Sequence, residues 1–497
     1  MANKFYITTP LYYVNASPHI GHSYTNIAAD TLARFMRQRL GDKNVWFLTG
    51  TDEHGQKIQK AALEQGLSPK EFADKTVMQF KELWVKLNIS YNDFIRTTED
   101  RHTACVQRVL EILYQKGDIY QDKYEGWYCT PCETFWLASQ LNDNLCPDCH
   151  RPVEKVSETN YFFKLSQYQD WLVRYIESHS DFIKPDIRRN EVLSFLQINK
   201  LTDLCISRPK ERLIWGIQVP FSSKHVVYVW LDALVNYISA VGEFDEKGNY
   251  NSRWWPADLH LIGKDILRQH AVYWPIILKA LDIEPPKTIF AHGWWMLGEG
   301  KMSKSKGNVV SPLLMADKYG VDVYRYFLLR DVPFGLDGNF SEEAIVKRFN
   351  ADLANDLGNL VFRTLTMIEK YFSGSIPKAD TAGDTTAKAI VDKVFHLEQE
   401  LSKSLCSQGN YNFSSALEAA WVLIGMANKY IEDTKPWNLA KENKTEELKG
   451  FIRLLAEVIR KVAEGMAPFM PETAASIQEQ IGLDKIKKGN PLFPRIQ

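Results

Sequence analysis

The sequence predicts an α/β protein in which a doubly wound parallel sheet is interrupted by an inserted segment and followed by an all-α bundle. The first observation is a βαβ pattern near the start, with a strand at 4–8, a helix at 19–40 and a strand at 45–48. The second is a change to short polar stretches with paired cysteines from about Ile119, which ends near Val226. The third is a helical spacing of apolar residues throughout the last third of the chain.

Local signals support each element in turn. Pro10 and Pro18 bracket the loop after the first strand, and Gly41 ends the helix that follows. Later strands of the same sheet are expected at 226–229, 259–262 and 288–291. In the helical region we expect helices around Leu353, Leu357 and Leu360, over 416–427 and over 446–467, with a loop at 373–384.

These changes of pattern predict five segments. In chain order they are the first half of the sheet domain, the insertion, the second half, a region with a lysine-rich loop, and a helical domain, at residues 1–118, 119–225, 226–297, 298–349 and 350–497. A chain of 497 residues is long enough for several such units.

The composition indicates a folded protein without a strong overall charge. Apolar residues make up 45% of the chain, and 60 basic residues face 61 acidic ones, so nonspecific nucleic-acid binding is disfavoured. The N-terminus lacks the layout of a secretory signal, and no apolar run reaches the roughly 18 residues needed to span a bilayer. We therefore expect a cytoplasmic protein without a membrane partner.

Two close cysteine pairs predict a metal site. Cys129 and Cys132 form one CxxC turn, and Cys146 and Cys149 form another after thirteen residues. Two such turns supply four thiolates for one structural Zn²⁺ per chain, while a redox pair is the alternative. His150 adjoins the last cysteine and could replace it as a ligand. The other three cysteines are expected to be buried free thiols, namely Cys105, Cys205 and Cys406.

Two further motifs combine features that favour phosphate binding. His19-Ile20-Gly21-His22 opens a helix directly after a strand, where backbone N–H groups and the helix dipole attract anions. Lys301-Met302-Ser303-Lys304-Ser305 is a cationic loop with glycines on both sides, able to close on a triphosphate. Their occurrence in this order, with a nucleotide-sheet pattern between them, indicates ATP activation.

This pair of motifs is typical of class I aminoacyl-tRNA synthetases, which the sequence resembles over nearly its whole length. Residues 9–15 (Thr-Pro-Leu-Tyr-Tyr-Val-Asn), 50–55 (Gly-Thr-Asp-Glu-His-Gly) and 263–265 (Gly-Lys-Asp) resemble the methionyl-tRNA synthetase family in particular. The resemblance implies a Rossmann-type catalytic domain split by a zinc-binding insertion, followed by an anticodon-binding helical bundle. It also implies that methionine is activated to methionyl-adenylate and transferred to tRNA(Met).

The resemblance further implies roles for individual residues. The implied catalytic residues are His19, His22, Lys301 and Lys304. ATP would be bound by these four together with Gly21, Gly263, Asp265 at the ribose and Gly293 beside the adenine. Asp52 would meet the methionine ammonium, and the side chain would be enclosed by Leu11, Tyr13, Trp230, Ala233, Leu234, Tyr237, Ile266, His270 and Trp274. The anticodon would be recognised by Asn359, Arg363 and Trp437.

The implied partners are ATP with Mg²⁺, L-methionine, and the initiator and elongator forms of tRNA(Met), bound by a monomer. Three alternatives remain open from the sequence. One is a class I synthetase for leucine, isoleucine, valine or cysteine, and the second is a noncatalytic tRNA-binding paralogue that kept the fold. The third is a zinc-ribbon nucleotidyltransferase, which would leave the helical bundle unexplained.

Overall fold

The computed structural model describes residues 4–496 except positions 131, 133, 137, 142, 148, 298–299, 302–309, 381–383, 407–408 and 410. The side chains of 124, 134, 135, 139, 300 and 301 also lie outside this description. The chain divides into two compact units, Met1–His292 and Gly293–Gln497.

The first unit combines strands and helices in alternation. Its strands are Phe5–Thr8 (β1), Tyr12–Tyr13 (β2), Val45–Asp52 (β3), Asp93–Arg96 (β4), Ile119–Cys129 (β5), Thr134–Trp136 (β6), Glu154–Phe163 (β7), Ile183–Lys184 (β8), Leu204–Cys205 (β9), Ser207–Pro209 (β10), His225–Val227 (β11), Gly242–Phe244 (β12), Tyr250–Ser252 (β13), Leu259–Gly263 (β14) and Ile289–His292 (β15). Its α-helices are Ile20–Leu40 (α1), Gln56–Glu64 (α2), Pro69–Lys86 (α3), Asp100–Gln115 (α4), Gln169–Ser178 (α5), Asp186–Ile198 (α6), Val229–Ser239 (α7) and Trp274–Ala280 (α8).

The main sheet is parallel, with β4, β3, β1, β14, β15 and β8 side by side. The short β2 continues beyond β1 along the end of β3, where Tyr12 pairs with Thr51. The chain runs outward from β1 to β3 and β4 on one side, and later from β14 to β15 on the other. The direction of winding therefore reverses between β1 and β14, and a crevice at the carboxyl ends of these strands is the usual ligand site of such a sheet.

Helix α1 follows β1 and packs against the sheet. It begins after a reciprocal cap at His19 and ends at Gly41, whose φ of 82° suits glycine. Its inward face buries Tyr24, Ile27 and Leu32 among others, and the helix contacts both β1 and β3. The start of this helix is thereby fixed at the point where the sheet reverses.

Two sheet assignments differ from the sequence prediction. The strand expected at 226–229 forms as β11, but it pairs antiparallel with β10 in a separate ribbon instead of joining the parallel sheet. The outer strand β8 comes from the range predicted as insertion, and it pairs with Ile289 of β15. Three-residue and two-residue strands carry too few positions for a periodic pattern to reveal their partners.

The remainder of that range contains a second sheet, antiparallel, in the order β6-β5-β7-β9. Long pairing between β5 and β7 extends from Ile119 opposite Phe163 to Tyr128 opposite Glu154. Cys129 and Cys146 lie buried with Trp136 in a small cluster of their own. The paired cysteines are thus carried by a segment with its own sheet and its own small core.

The second unit is mainly helical. Its strands are Trp295–Leu297 (β16), Gly300–Lys301 (β17) and Gly338–Asn339 (β18). Its α-helices are Pro312–Tyr319 (α9), Val321–Arg330 (α10), Glu342–Arg348 (α11), Asn359–Phe372 (α12), Thr385–Cys406 (α13), Phe413–Thr434 (α14), Pro436–Lys441 (α15), Thr445–Met466 (α16) and Pro471–Ile481 (α17). Helices α13, α14 and α16 pack on one another, and Leu353, Leu357 and Leu360 are buried.

This architecture confirms the predicted fold class, a parallel-sheet unit with a cysteine-bearing insertion and a helical C-terminal unit. From residue 344 onward the helices follow one another as the spacing predicts, although Phe349–Gly358 is wound as a π-helix. Across the part of the chain that the structure describes, every helix is too short or too polar to span a bilayer.

Candidate functional site

Two imidazoles cap the first turn of α1. His19 Nδ1 accepts the Gly21 N–H at 3.1 Å, and His22 Nδ1 accepts the His19 N–H at 3.2 Å. The two rings stack with their centroids 3.8 Å apart. Because each Nδ1 is an acceptor, the ring proton of each histidine resides on Nε2, which can donate to an anion. The cap thus sets the tautomer of both predicted phosphate ligands.

Gly21 leaves room for the His19 ring in this arrangement. A Cβ added at Gly21 would lie 3.0 Å from Cε1 of the His19 ring, closer than an ordinary contact. The first turn, Ile-Gly-His-Ser, carries no acidic residue, so the positive end of the helix dipole meets no fixed negative charge in that turn. The start of α1 is therefore suited to phosphate.

The carboxyl ends of β14 and β15 lie close to the start of α1. Asp265 is exposed just after β14, and its Oδ1 sits over Gly263, where an added Cβ would be only 2.6 Å away. His292 ends β15, and its Nε2 lies 2.7 Å from Oγ1 of Thr25, one turn along α1 from Gly21. The structure thus brings Gly21, Gly263 and Asp265 to the sheet edge where the order of strands reverses.

Asp52 is the last residue of β3, next to Tyr13. Val14 N–H donates to the Asp52 carbonyl at 3.2 Å, and Tyr13 pairs with Asp52 in the sheet. The Asp52 residue is 8% exposed. Gly50, two residues earlier, allows a close approach of β4, since a Cβ there would lie 2.0 Å from the Ile95 carbonyl oxygen. Asp52 and Tyr13 are therefore held together by backbone pairing.

Glu53 has a different role from its neighbour. Its buried carboxylate accepts two hydrogen bonds from Arg96, at 2.6 and 2.8 Å, and others from Thr51 at 2.7 Å and Thr98 at 2.6 Å. A carboxylate so fully engaged fastens the loop to β3 and β4. Of the two adjacent acids, Glu53 is thus the structural anchor, which agrees with the choice of Asp52 as the candidate ligand by resemblance.

A buried histidine faces the predicted methionine pocket. His270 Nδ1 donates to the Ile266 carbonyl at 2.9 Å, and His270 Nε2 accepts from the Tyr237 hydroxyl at 2.7 Å. Burial lowers the pKa of His270 to about 4, so the ring is neutral at physiological pH. Burial likewise raises the pKa of Tyr237, which keeps its hydroxyl proton. The pair is uncharged, and its polar atoms are hydrogen-bonded to each other and to the Ile266 carbonyl.

A second neutral histidine, His260, contacts two residues of the predicted pocket wall, Tyr237 and Trp274. His260 accepts from Trp274 Nε1 at 3.2 Å, and its Nδ1 lies 2.8 Å from the Thr8 hydroxyl. The Tyr237 ring stacks on His260 with centroids 4.1 Å apart and meets Trp274 at 5.9 Å. Burial lowers the pKa of His260 well below its ordinary value. The sequence alone does not single out His260, because a lone histidine inside a strand carries no distinguishing signal.

The spacing of four between three predicted pocket residues suggested one regular helix. The structure instead divides this segment into a 3₁₀ turn, a π-helical turn and an α-helix, at Lys264–Ile266, Gln269–Tyr273 and Trp274–Ala280. The π turn rotates the side chains that follow it. His270 and Trp274 are buried against Tyr237, whereas Ile266 is half-buried and contributes its carbonyl to His270.

The other predicted wall residues lie on α7 and in or just before β2, in the same unit. Trp230, Ala233 and Leu234 belong to α7, where Trp230 is half-buried and the other two are buried. Leu11 precedes β2, and Tyr13 within it lies 5.1 Å from the Lys57 ammonium. All ten residues predicted to bind methionine therefore occupy the first unit.

The four cysteines form one cluster. Their Sγ atoms all lie within 4.8 Å of one another, with 3.5 Å between Cys129 and Cys149 and 3.8 Å between Cys132 and Cys146. Four thiolates at the usual Zn–S length around a tetrahedral ion are about 3.8 Å apart. The cluster fits a structural zinc site. His150 is outside this four-sulfur group, and its N–H donates to the Cys146 carbonyl at 2.9 Å in the turn.

The remaining cysteines divide by burial. Cys205 is buried as predicted, whereas Cys105 is only half-buried, although its thiol is enclosed enough that burial raises its pKa to about 12. The prediction that Cys406 is buried is wrong, because it is exposed at the end of α13. A helix terminus leaves room for solvent that a composition-based expectation does not include.

The lysine-rich loop begins in the second unit. Lys301 pairs with Met296 through its backbone in β17, but its side chain lies outside the described residues, as does Lys304 with the rest of 302–309. Gly293 is described, and an added Cβ would lie 2.2 Å from the Leu336 carbonyl oxygen. A close passage of two backbones within this unit therefore requires glycine at 293.

The predicted anticodon residues lie on two helices of the bundle. Asn359 and Arg363 are one turn apart on α12, and Arg363 Nη1 is 3.7 Å from Oε1 of Glu432, near the end of α14. Trp437 follows the buried Pro436 at the start of α15, with 43% of its surface exposed. An exposed indole of this kind can stack on an unpaired base.

Comparison with known proteins gives consistent results over the whole chain. The model for "tRNA synthetases class I (M)" matches residues 5–155 and 151–365, and the model for "Anticodon binding domain of methionyl tRNA ligase" matches 376–491. The chain is 50% identical to the methionine--tRNA ligase of Caldanaerobacter subterraneus, covering 100% of this chain and 79% of that protein. It is 49% identical to the enzyme of Clostridium tetani, covering 99% of this chain and 78% of that one.

A solved structure is similar at the level of the fold. Mycobacterium tuberculosis methionyl-tRNA synthetase bound by methionyl-adenylate superposes with a TM-score of 0.92 at 41% identity, covering 99% of this chain and 100% of that one. The apo form of the same protein superposes with a TM-score of 0.86.

Proposed function

The chain belongs to the class I tRNA synthetases of the methionine type, and we propose that it activates L-methionine with ATP and transfers it to tRNA(Met). This membership confirms the resemblance predicted from the sequence. In the first step a methionine carboxylate oxygen attacks the α-phosphorus of ATP, and the bond to pyrophosphate breaks. In the second, a ribose hydroxyl at the tRNA 3′ end attacks the carbonyl carbon of methionyl-adenylate, and AMP leaves.

The ATP side of the site is assigned to the reversal point of the sheet. His19 and His22 would donate their Nε2 protons to phosphate oxygens, supported by the positive end of the α1 dipole. Gly263 and the exposed Asp265 would meet the ribose. We assign Lys301, Lys304 and Gly293 to the triphosphate and adenine. These groups would act by position and charge, with ATP entering as its magnesium complex.

The methionine side is assigned to Asp52 and the aromatic wall around Tyr237. A buried carboxylate is a natural partner for the substrate ammonium. The wall would accept the thioether because it is apolar and polarisable, and because its histidines, His260 and His270, remain uncharged. The remaining wall residues are Leu11, Tyr13, Trp230, Ala233, Leu234, Ile266 and Trp274.

The peripheral assignments concern metal and tRNA. The cluster of four cysteines would hold one Zn²⁺, which stabilises the insertion and takes no part in the chemistry. Asn359, Arg363 and Trp437 would recognise the anticodon of initiator and elongator tRNA(Met) by edge hydrogen bonds and stacking. We propose that the protein acts as a cytoplasmic monomer.

The observation that most supports this function is the paired Nδ1 cap at His19 and His22, which directs two imidazole donors to the sheet's reversal point. The test is ATP–pyrophosphate exchange, run separately with methionine, cysteine, leucine, isoleucine and valine. We expect exchange with methionine at a rate far above the others, followed by charging of both forms of tRNA(Met). Preferential exchange with another amino acid would refute the methionine assignment, and exchange with none would indicate a noncatalytic paralogue.

A further inference from the structure

A carboxylate that is fully buried in the first unit holds two imidazoles. Asp232 Oδ2 accepts from His54 Nδ1 at 2.7 Å, and Asp232 Oδ1 accepts from His102 Nε2 at 2.8 Å. His102 Nδ1 lies 2.8 Å from the Ser239 hydroxyl. Burial opposes ionisation of Asp232, yet His54 and His102 hold the pKa of its carboxyl below the ordinary value. Asp232, His54 and His102 thus form one network, to which no ATP, methionine, zinc or anticodon role is assigned.

The network joins two parts of the methionine site. His54 is two residues beyond Asp52, and Asp232 is on α7 between Trp230 and Ala233. The hydrogen bond between His54 and Asp232 therefore ties the segment that carries the proposed ammonium ligand to the helix that carries part of the proposed wall. In sequence these two partners are 178 positions apart.

The same segment is fixed from other directions as well. Arg96 of β4 donates hydrogen bonds to the Glu53 carboxylate, and Trp215 Nε1 donates to the Glu53 carbonyl. The Trp215 carbonyl accepts the Gly55 N–H at 3.2 Å, and the indole lies 5.2 Å from the His54 ring. The three residues that follow Asp52 are therefore held in place by Arg96, Asp232 and Trp215 together.

Burial of a charged group contributes little to the stability of a fold by itself. A carboxylate in the interior loses its hydration, and well-packed apolar residues stabilise a core as well or better. What a buried carboxylate offers instead is geometric specificity, since its hydrogen bonds fix the orientation of the groups that donate them. The hydrogen bonds from two imidazoles to Asp232 are thus better explained by a role in orienting these side chains than by a gain in stability.

We propose that Asp232 and His54 are positioning residues for methionine recognition, which hold Asp52 at the correct distance from the α7 wall. This inference rests on the proposed function. Its consequence is selective: loosening the His54–Asp232 bond weakens binding of methionine, which needs Asp52 and the wall together. ATP binding, assigned to α1 and the end of β14, stays nearly unchanged.

The other oxygen of Asp232 supplies a matched control. His102 is on α4, and its bonds join α4 to α7 through Asp232 and Ser239 without reaching residues 52–55. His102→Ala removes a buried donor from the same carboxylate, so it should lower thermal stability about as much as His54→Ala. It should affect methionine binding much less.

The experiment measures steady-state pyrophosphate exchange and thermal unfolding of the full chain with His54→Ala, His54→Asn and His102→Ala. Asparagine places an amide N–H near the former Nδ1 and can restore the bond to Asp232. For His54→Ala we expect a roughly 10- to 100-fold rise in KM for methionine, as fits a lost hydrogen bond to a charged group, with KM for ATP within about twofold. His54→Asn should recover most of this loss.

Equal increases of both KM values, an equal methionine effect from His102→Ala, or no recovery with His54→Asn would each overturn the inference in favour of general structural support. If His54→Ala does not fold, His54→Leu against His54→Asn makes the same comparison. Failure of the unmodified protein to exchange with methionine would overturn the proposed function itself. Normal exchange by that protein with an unaltered KM in the His54 variants would overturn this inference alone.

Discussion

Replacing His19 separates a structural role from a chemical one, because the side chain serves both. Its Nδ1 caps α1 by accepting the Gly21 N–H at 3.1 Å, while Nε2 is the proposed phosphate donor. His19→Ala removes both functions, whereas His19→Asn keeps a good N-cap acceptor and removes the donor. The two variants should therefore diverge in stability and agree in activity.

The expected magnitudes follow from these contacts. Loss of an N-cap costs about 1 kcal/mol, which lowers the melting temperature of the unit Met1–His292 by about 1.5–2 °C, and only His19→Ala should show it. Loss of a donor to charge that develops in the transition state lowers kcat by roughly 100-fold, and both variants should show that. KM for methionine should be unchanged, since His19 is assigned to phosphate.

Pyrophosphate exchange at saturating methionine and ATP, together with calorimetric unfolding, measures both quantities. His22→Asn offers a comparison at the other imidazole, which accepts the His19 N–H at 3.2 Å and is assigned the same type of donor. The reasoning is refuted if His19→Asn exchanges at the rate of the unmodified protein, because the imidazole would then be only a cap. Equal losses of stability in both His19 variants would refute the capping argument instead.

Three other perturbations have defined outcomes. Tyr237→Phe leaves His270 Nε2 without its buried donor, so KM for methionine in the exchange assay should rise roughly 5- to 100-fold at constant KM for ATP; an unchanged KM would contradict the wall assignment. Cys146→Ser should reduce bound zinc, measured by mass spectrometry of the purified chain, from one per chain to well below one; full occupancy would place the ion elsewhere. Trp437→Ala should raise KM for tRNA(Met) in charging roughly tenfold or more while tRNA-independent exchange is unaffected; equal loss of both would indicate a fold defect.

The elements with strong periodic patterns were predictable from the sequence. Helix α1 begins within one residue of the expected position and ends where Gly41 requires it. Strands β1, β3, β14 and β15 fall on the predicted apolar runs, because buried parallel strands give continuous apolar segments. The four-cysteine cluster was predictable for a similar reason, since two CxxC turns have few alternatives to a shared metal.

What the sequence could not provide was the identity of partners far apart in the chain. The strand at His225–Val227 was predicted as a strand but not as part of a separate ribbon, and β8 was not expected in the main sheet. The division of roles between Asp52 and Glu53 depends on Arg96, which is 43 positions away from Glu53. Likewise, the neutral state of His270 depends on burial that no local pattern records.

The buried histidines of the proposed pocket wall make the folded protein less stable as the pH falls. Burial lowers the pKa of His270 from 6.5 to about 4, so between these values the unfolded chain binds a proton that the folded chain does not. The contribution to stability is therefore complete above pH 6.5 and is lost as the pH falls. At about 1.4 kcal/mol per pKa unit, the loss approaches roughly 3 kcal/mol by pH 4. Buried His260 changes stability in the same direction.

Under the proposed assignment of His270 to the methionine pocket, the same shift would connect stability to substrate choice. A protonated imidazole at position 270 would put a positive charge beside the thioether. It could also no longer accept a hydrogen bond from the Tyr237 hydroxyl. The low pKa therefore keeps the wall apolar in character while His270 remains a fixed acceptor. In denaturant unfolding followed from pH 7 to pH 4.5, His270→Gln should flatten the decline of the unfolding free energy, because glutamine does not titrate. A decline as steep as that of the unmodified protein would mean that other groups cause it, and the argument for a neutral wall would lose its support.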